Sequence, residues 1–195
     1  MADRGFLRWV CLGVMIFATV VELPRAHGTS RNIYGQTEVG SICAGSVIPH
    51  GYRCQEFEVR TEDGYILSVQ RIPDGGAAGG GSHLLNKQPV LFQHGLLVDG
   101  TTWFLNPPNQ NLPFILADSG FDVWIANTRG TRFSRTHVSL DPNNHEFWNW
   151  SWDELVAYDL PATIDFVYQS TGQKIDYVGH SLVRVGSMLV SILLG

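Results

Sequence analysis

The chain has 195 residues, 44% of them apolar and 16% charged, with 13 basic against 18 acidic residues for a net charge of −5. That bounds it to one folded domain with at most a small appendage, too apolar for a disordered chain and without the basic cluster that a phosphate backbone demands, so a nucleic-acid binder is excluded. Three cysteines are too few for a small disulfide scaffold, and the absence of a Cys-x-x-Cys pair or clustered Cys and His spacing argues for no metal and no zinc site.

Arg4 and Arg8 precede an apolar run from Trp9 to Val21, and Ala26 and Gly28 follow as small residues two positions apart. Residues 1–28 therefore read as a secretion signal. The run falls short of the roughly 20 residues a bilayer crossing needs, so a membrane anchor is the weaker reading. Losing the signal removes Cys11 and leaves Cys43 and Cys54 in an extension over residues 29–54. An even pair on an oxidising route is expected to be bridged, two unpaired buried thiols being the alternative. Asn149-Trp150-Ser151 is a glycosylation sequon on the same route, although Ser151 also suits a helix cap.

From Gln55 to Thr61, Phe57 and Val59 alternate with Glu56, Glu58 and Arg60, a half-buried strand by its period of two. Asp63-Gly64 turns the chain, and Tyr65 to Ile72 returns as the second strand of an antiparallel hairpin. Pro73 to Ser82 is glycine-rich and holds no large apolar residue, which reads as a surface connection. Pro89 to Gln93 is a buried strand ending in His94-Gly95; Phe114 to Ser119 is helical and stops at Gly120; Asp122 to Ala126 is a further buried strand. Ser151-x-x-Glu154 is a capping box that opens an amphipathic helix running to Gly172, with Pro161 imposing a kink or a fresh start near Asp159. Lys174 to Val178 is a strand that runs into Gly179-His180-Ser181. Strands alternating with helices predict a mainly parallel sheet with the hairpin at one edge, in the order one-two-four-three-five.

A strand, then Gly-x-Ser, then an apolar segment is the layout of a nucleophile elbow, which makes Ser181 the candidate nucleophile. An ester carbonyl attacked there develops negative charge on oxygen and needs backbone donors aimed at it. The N–H of Leu182, directly after the serine, is one; the N–H of Leu96, in the His94-Gly95-Leu96-Leu97 loop after a buried strand, is the other. His94 is expected to shape that loop rather than act as a base, and His180 to point away from the serine. His137 and Arg129 receive no catalytic role. Trp148, Trp150 and Trp152 suit a hydrophobic core better than an acyl pocket, though they fit both.

Four passages resemble the acid-lipase family of α/β-hydrolases. They are Gly51 to Val59 with Thr61 to Leu67; Gln93 to Leu97; Asn127 to Thr131 with Ser134 to His137; and Phe147 to Leu155 with Tyr158 to Ala162, leading to Gly179-His180-Ser181-Leu182. The resemblance implies an α/β fold, here the N-terminal half of an α/β-hydrolase over residues 55–182. It also implies hydrolysis of neutral lipid esters such as triacylglycerols or steryl esters, no cofactor, and secretion or delivery to a lysosome or vacuole. The family's elbow reads Gly-x-Ser-x-Gly, and Val183 takes the place of the second glycine. The family also places an acid and then a histidine after the serine, whereas Leu182 to Gly195 contains no Asp, Glu or His. The expectation is a truncated product, catalytically silent as it stands, with a divergent apolar tail over residues 183–195. Lipid-surface contact and self-association through an open sheet edge are expected of such a chain, and a lipid- or protein-binding module is the alternative function.

Overall fold

The computed structural model describes residues 40–76 and 86–180. The signal segment, most of the glycine-rich connection, Ser181, Leu182 and the apolar tail lie outside the described residues.

Strands β1 (Gln55–Arg60) and β2 (Tyr65–Ile72) form the expected hairpin, in register from Gln55 opposite Arg71 to Arg60 opposite Ile66. The first strand ends one residue early because Thr61 serves the turn: its hydroxyl accepts the Tyr65 N–H at 2.9 Å and donates to Asp63. Gly64 completes the bend at φ 99°, a left-handed conformation that glycine adopts without penalty. Strand β3 (Pro89–Gln93) and strand β4 (Asp122–Ala126) match their predicted bounds and pair in parallel. Between them lies helix α1 (Leu112–Asp118), which starts earlier than expected because Pro113 is tolerated in its first turn.

A two-residue strand, β5 (Thr136–His137), pairs with the start of β2 and was not anticipated, since so short a piece carries no period. The capping box forms as read: the Ser151 hydroxyl accepts the Asp153 N–H, and Glu154 accepts the Ser151 N–H at 2.6 Å. Helix α2 (Trp152–Glu154) widens into a π turn over Leu155–Asp159 before α3 (Leu160–Thr171) begins with Pro161 in its first turn. The predicted break near Asp159 is this wide turn. Gly172 caps α3 at φ 67°. Strand β6 (Asp176–Gly179) closes the described chain, beginning two residues later than expected.

The sheet runs β1-β2-β4-β3-β6 with β5 beside β2, so the order foreseen from the sequence is the one found. Alternation along β3 and β4 sends Leu91 and Trp124 to one face and Phe92 and Ile125 to the other. Leu160, Ile164, Phe166 and Val167 cover the first face; Phe114 and Ala117 of α1, with Ile42, Val47 and Tyr52, cover the second. Burial on both faces explains the unbroken apolar runs of the two strands. Cys43 and Cys54 are bridged with their Cα atoms 5.4 Å apart, tying the segment before β1 to this second layer. A loop this short contributes on the order of 2 to 3 kcal/mol.

Candidate active site

The sheet order brings the chemistry together. β3 lies between β4 and β6, and in parallel strands the loops leave from the same end. The His94 loop, the loop after β4 and His180 at the end of β6 are therefore neighbours, and the His180 N–H donates to the Gln93 carbonyl at 3.1 Å.

His94 is buried, and its ring joins two of these loops. Its Nε2 accepts the Thr128 N–H at 3.2 Å, so the ring proton sits on Nδ1 and is donated to the Gly95 carbonyl at 2.8 Å. Burial pushes the imidazole below its ordinary pKa, against the opposing pull of the Gly95 carbonyl and Asp99, and the ring is held neutral. The Gly95 carbonyl and the Leu96 N–H belong to one planar peptide and point in opposite directions. Fixing the carbonyl on His94 therefore fixes the aim of the Leu96 donor. With both ring nitrogens engaged, His94 serves the loop's geometry, as the sequence suggested.

Beside these loops is a cavity of about 390 Å³. Gln93 to Asp99 form one side, Thr128 to Arg132 a second, and Trp148, Trp150, Trp152, Leu155, Val156 and Leu160 an apolar wall. The tryptophans thus line a space as well as extending the core, a role that composition could not separate from packing. Trp148 is 38% exposed, and Trp150 packs against the inner layer. Gly130, at φ 80°, makes room for them: a Cβ there would lie 2.6 Å from the Trp150 ring.

Beneath this site lies an ion cluster that sequence reasoning left without a role. The Arg129 side chain is fully buried; its Nε donates to Asp159 at 2.7 Å, and its two terminal nitrogens donate to Asp63 at 2.6 and 2.9 Å. Its backbone N–H also donates to Asp159 at 2.8 Å, and its guanidinium lies 3.9 Å above the Tyr65 ring. Burial pushes the Asp159 carboxyl up to about 6, opposed by the Arg129 charge and hydrogen bonds. Asn127 ties the next layer, donating to Ser68 O and Gln70 Oε1 and accepting the Gly100 N–H.

The other predicted positions fall as follows. Leu96 lines the cavity and is 53% exposed. His180 is exposed, with its ring centroid 6.2 Å from that of Trp103 in an edge-to-face arrangement. His137 donates from Nε2 to the Asp63 carbonyl while its Nδ1 accepts the Ser139 and Leu140 N–H groups, a structural arrangement. Asn149 is exposed at the end of a 3-10 turn. Among the described residues, no group of His, Cys, Asp and Glu could hold a metal ion, and no helix is long and apolar enough to cross a membrane.

A doubly covered mixed sheet, parallel across β4, β3 and β6 and antiparallel where β2 meets β1, β4 and β5, with the buried His94 loop after β3, is consistent with the N-terminal part of an α/β-hydrolase. The family model described as a partial alpha/beta-hydrolase lipase region matches residues 44–107. Triacylglycerol lipase 2 of Arabidopsis thaliana is 56% identical over 178 residues, covering 89% of this chain and 43% of that protein. Gastric triacylglycerol lipase of Rattus norvegicus is 46% identical over 171 residues, covering 86% of this chain and 42% of that protein. Among solved structures, the Pyrococcus furiosus esterase Pf2001 aligns with a TM-score of 0.49 at 17% identity, over 73% of this chain and 44% of that one. The family-model match and the two lipase relatives support the acid-lipase family for this chain, which spans less than half the length of the curated relatives it matches.

Proposed function

We propose that the chain carries the nucleophile and oxyanion half of a carboxylic-ester hydrolase acting on neutral lipid esters, triacylglycerols or steryl esters. One observation carries this reading: the Leu96 peptide, locked by neutral His94, borders an apolar cavity at the end of β3, and β6, which precedes Ser181 in the sequence, pairs in parallel with β3. In the reaction the Ser181 oxygen attacks the ester carbonyl, the carbonyl oxygen gains charge opposite the N–H groups of Leu96 and Leu182, the alcohol leaves with the proton given up by the serine hydroxyl, and water then releases the acyl group from Ser181 as the acid and restores the hydroxyl. The acyl chain lies along the tryptophan wall. The Cys43–Cys54 bridge supports passage through the secretory route, where residues 1–28 act as a signal and Asn149 is open to glycosylation.

A second reading concerns the 195 residues taken alone. The ring nitrogens of His94 and His137 are committed to structural bonds, and Leu182 to Gly195 contains no acid or histidine. A serine hydroxyl with no oriented general base is a poor nucleophile, and in this reading the 195 residues bind lipid without turning it over. The test is a fluorophosphonate probe on the purified chain and on Ser181→Ala, beside titration of a fatty ester followed by tryptophan emission. Emission should change on titration, with equal background labelling of both proteins. Labelling above the Ser181→Ala control refutes silence, and no emission response refutes the lipid cavity.

A further inference from the structure

The loop that carries Leu96 is held at both ends by one neighbour, and the second tie lies outside the family-like serine chemistry. Leu97 sits at φ 61° and is 94% exposed. A leucine in the left-handed region costs on the order of 1 kcal/mol or more, and such a residue persists only where its surroundings over-determine it. An almost fully exposed side chain supplies no packing to do so, so the restraint must come from the loop's two ends. At the near end the His94 ring accepts the Thr128 N–H. At the far end Asp99 accepts the Thr101 N–H through Oδ1 at 2.9 Å, and its Oδ2 lies 2.9 Å from Arg132 Nε. Arg132 also reaches the Thr101 hydroxyl at 3.2 Å, bracing both the acceptor and the turn that it caps.

Thr128 and Arg132 belong to the same loop after β4, and both line the cavity. We propose that Arg132 is a positioning residue for the oxyanion donor: through Asp99 it fixes the far end of the loop and so the direction of the Leu96 N–H. Its importance for catalysis rests on the ester-hydrolase reading, but its test does not. Arg132 is well placed for this work. Its side chain is 62% exposed and that of Asp99 17%, so the pair adds little to global stability while selecting one loop geometry.

The test uses the full 195-residue chain with Arg132→Met, Arg132→Lys, Asp99→Asn and the double variant Asp99→Asn/Arg132→Met, followed by amide hydrogen exchange and by the 1H–15N resonance of Leu96. Arg132→Met should shift the Leu96 resonance and speed exchange at Thr101 and Thr102, whose N–H groups donate to Asp99, roughly two- to fivefold, the rate equivalent of a partly exposed ion pair. Exchange in β3 and β4 and the melting temperature should stay unchanged. Asp99→Asn keeps an acceptor for Thr101 but not the charge, and should match Arg132→Met, with the double variant no faster than either. Arg132→Lys should bring the Leu96 resonance back toward its original position. Unchanged exchange in Arg132→Met, a speed-up spread evenly over the sheet, or additive effects in the double variant would overturn the proposal. None of these readouts needs turnover, so failure of the esterase reading and failure of this one are separable.

Discussion

Replacing Arg129 with methionine tests the buried ion cluster directly. The substitution preserves much of the apolar stem and the backbone N–H that donates to Asp159, and removes three side-chain bonds, one to Asp159 and two to Asp63. Asp63 is 25% exposed and can take water in exchange, but Asp159 is 4% exposed and cannot. The cost is that of an uncompensated buried carboxylate, about 3 to 5 kcal/mol near neutral pH. Its pH dependence is the sharper signature. The folded pKa of Asp159 already lies above its unfolded value, at about 6, with Arg129 holding it down. Removing Arg129 raises it further, so the folded variant binds its proton before the unfolded chain does and regains stability as pH falls. Urea unfolding followed by circular dichroism near pH 7 and near pH 4.5 should show a large loss at the first and a smaller one at the second. A loss below about 1 kcal/mol near neutrality, or an equal loss at both pH values, would refute the account of Asp159 as a carboxylate kept charged by its arginine.

Two further predictions concern the cavity. Gly130→Ala should cost about 1 to 3 kcal/mol and shift tryptophan emission, because its Cβ meets the Trp150 ring at a positive φ; unchanged melting and emission would refute the close approach. His94 has a lowered folded pKa, so the unfolded chain takes up the proton first and His94 withdraws stability as pH falls through about 6.5. His94→Gln should flatten the acid limb of the melting temperature against pH. An unchanged slope would mean that the ring is not held neutral, since Asp159 acts with the opposite sign over much of the same range.

The sheet was legible because its signals are local. Phe57 and Val59 alternate, Asp63-Gly64 turns, and the runs in β3 and β4 end where glycine or a polar loop begins. The break before Pro161 was legible for the same reason, as proline removes a helical donor. What stayed hidden is non-local. Arg129 meets partners 66 and 30 positions away, a pairing that no periodicity encodes. The tie from Arg132 to Asp99 is equally silent, since neither residue sits in a recognisable spacing. The tryptophans were ambiguous for a different reason: core and pocket wall demand the same apolar surface, and only the placement of the helix beside the two loops distinguishes them.

The widened turn over Leu155–Asp159 carries an implication for how this part of the chain tolerates change. Each residue added to or taken from a helix rotates everything beyond it by about 100°. The extra residue housed in that turn lets the same helix present tryptophan and leucine to the cavity at one level and a carboxylate to Arg129 at the next. A single-residue deletion there would leave every side chain chemically intact and yet turn the carboxylate away from its guanidinium. Within this segment the count of residues matters as much as their identity.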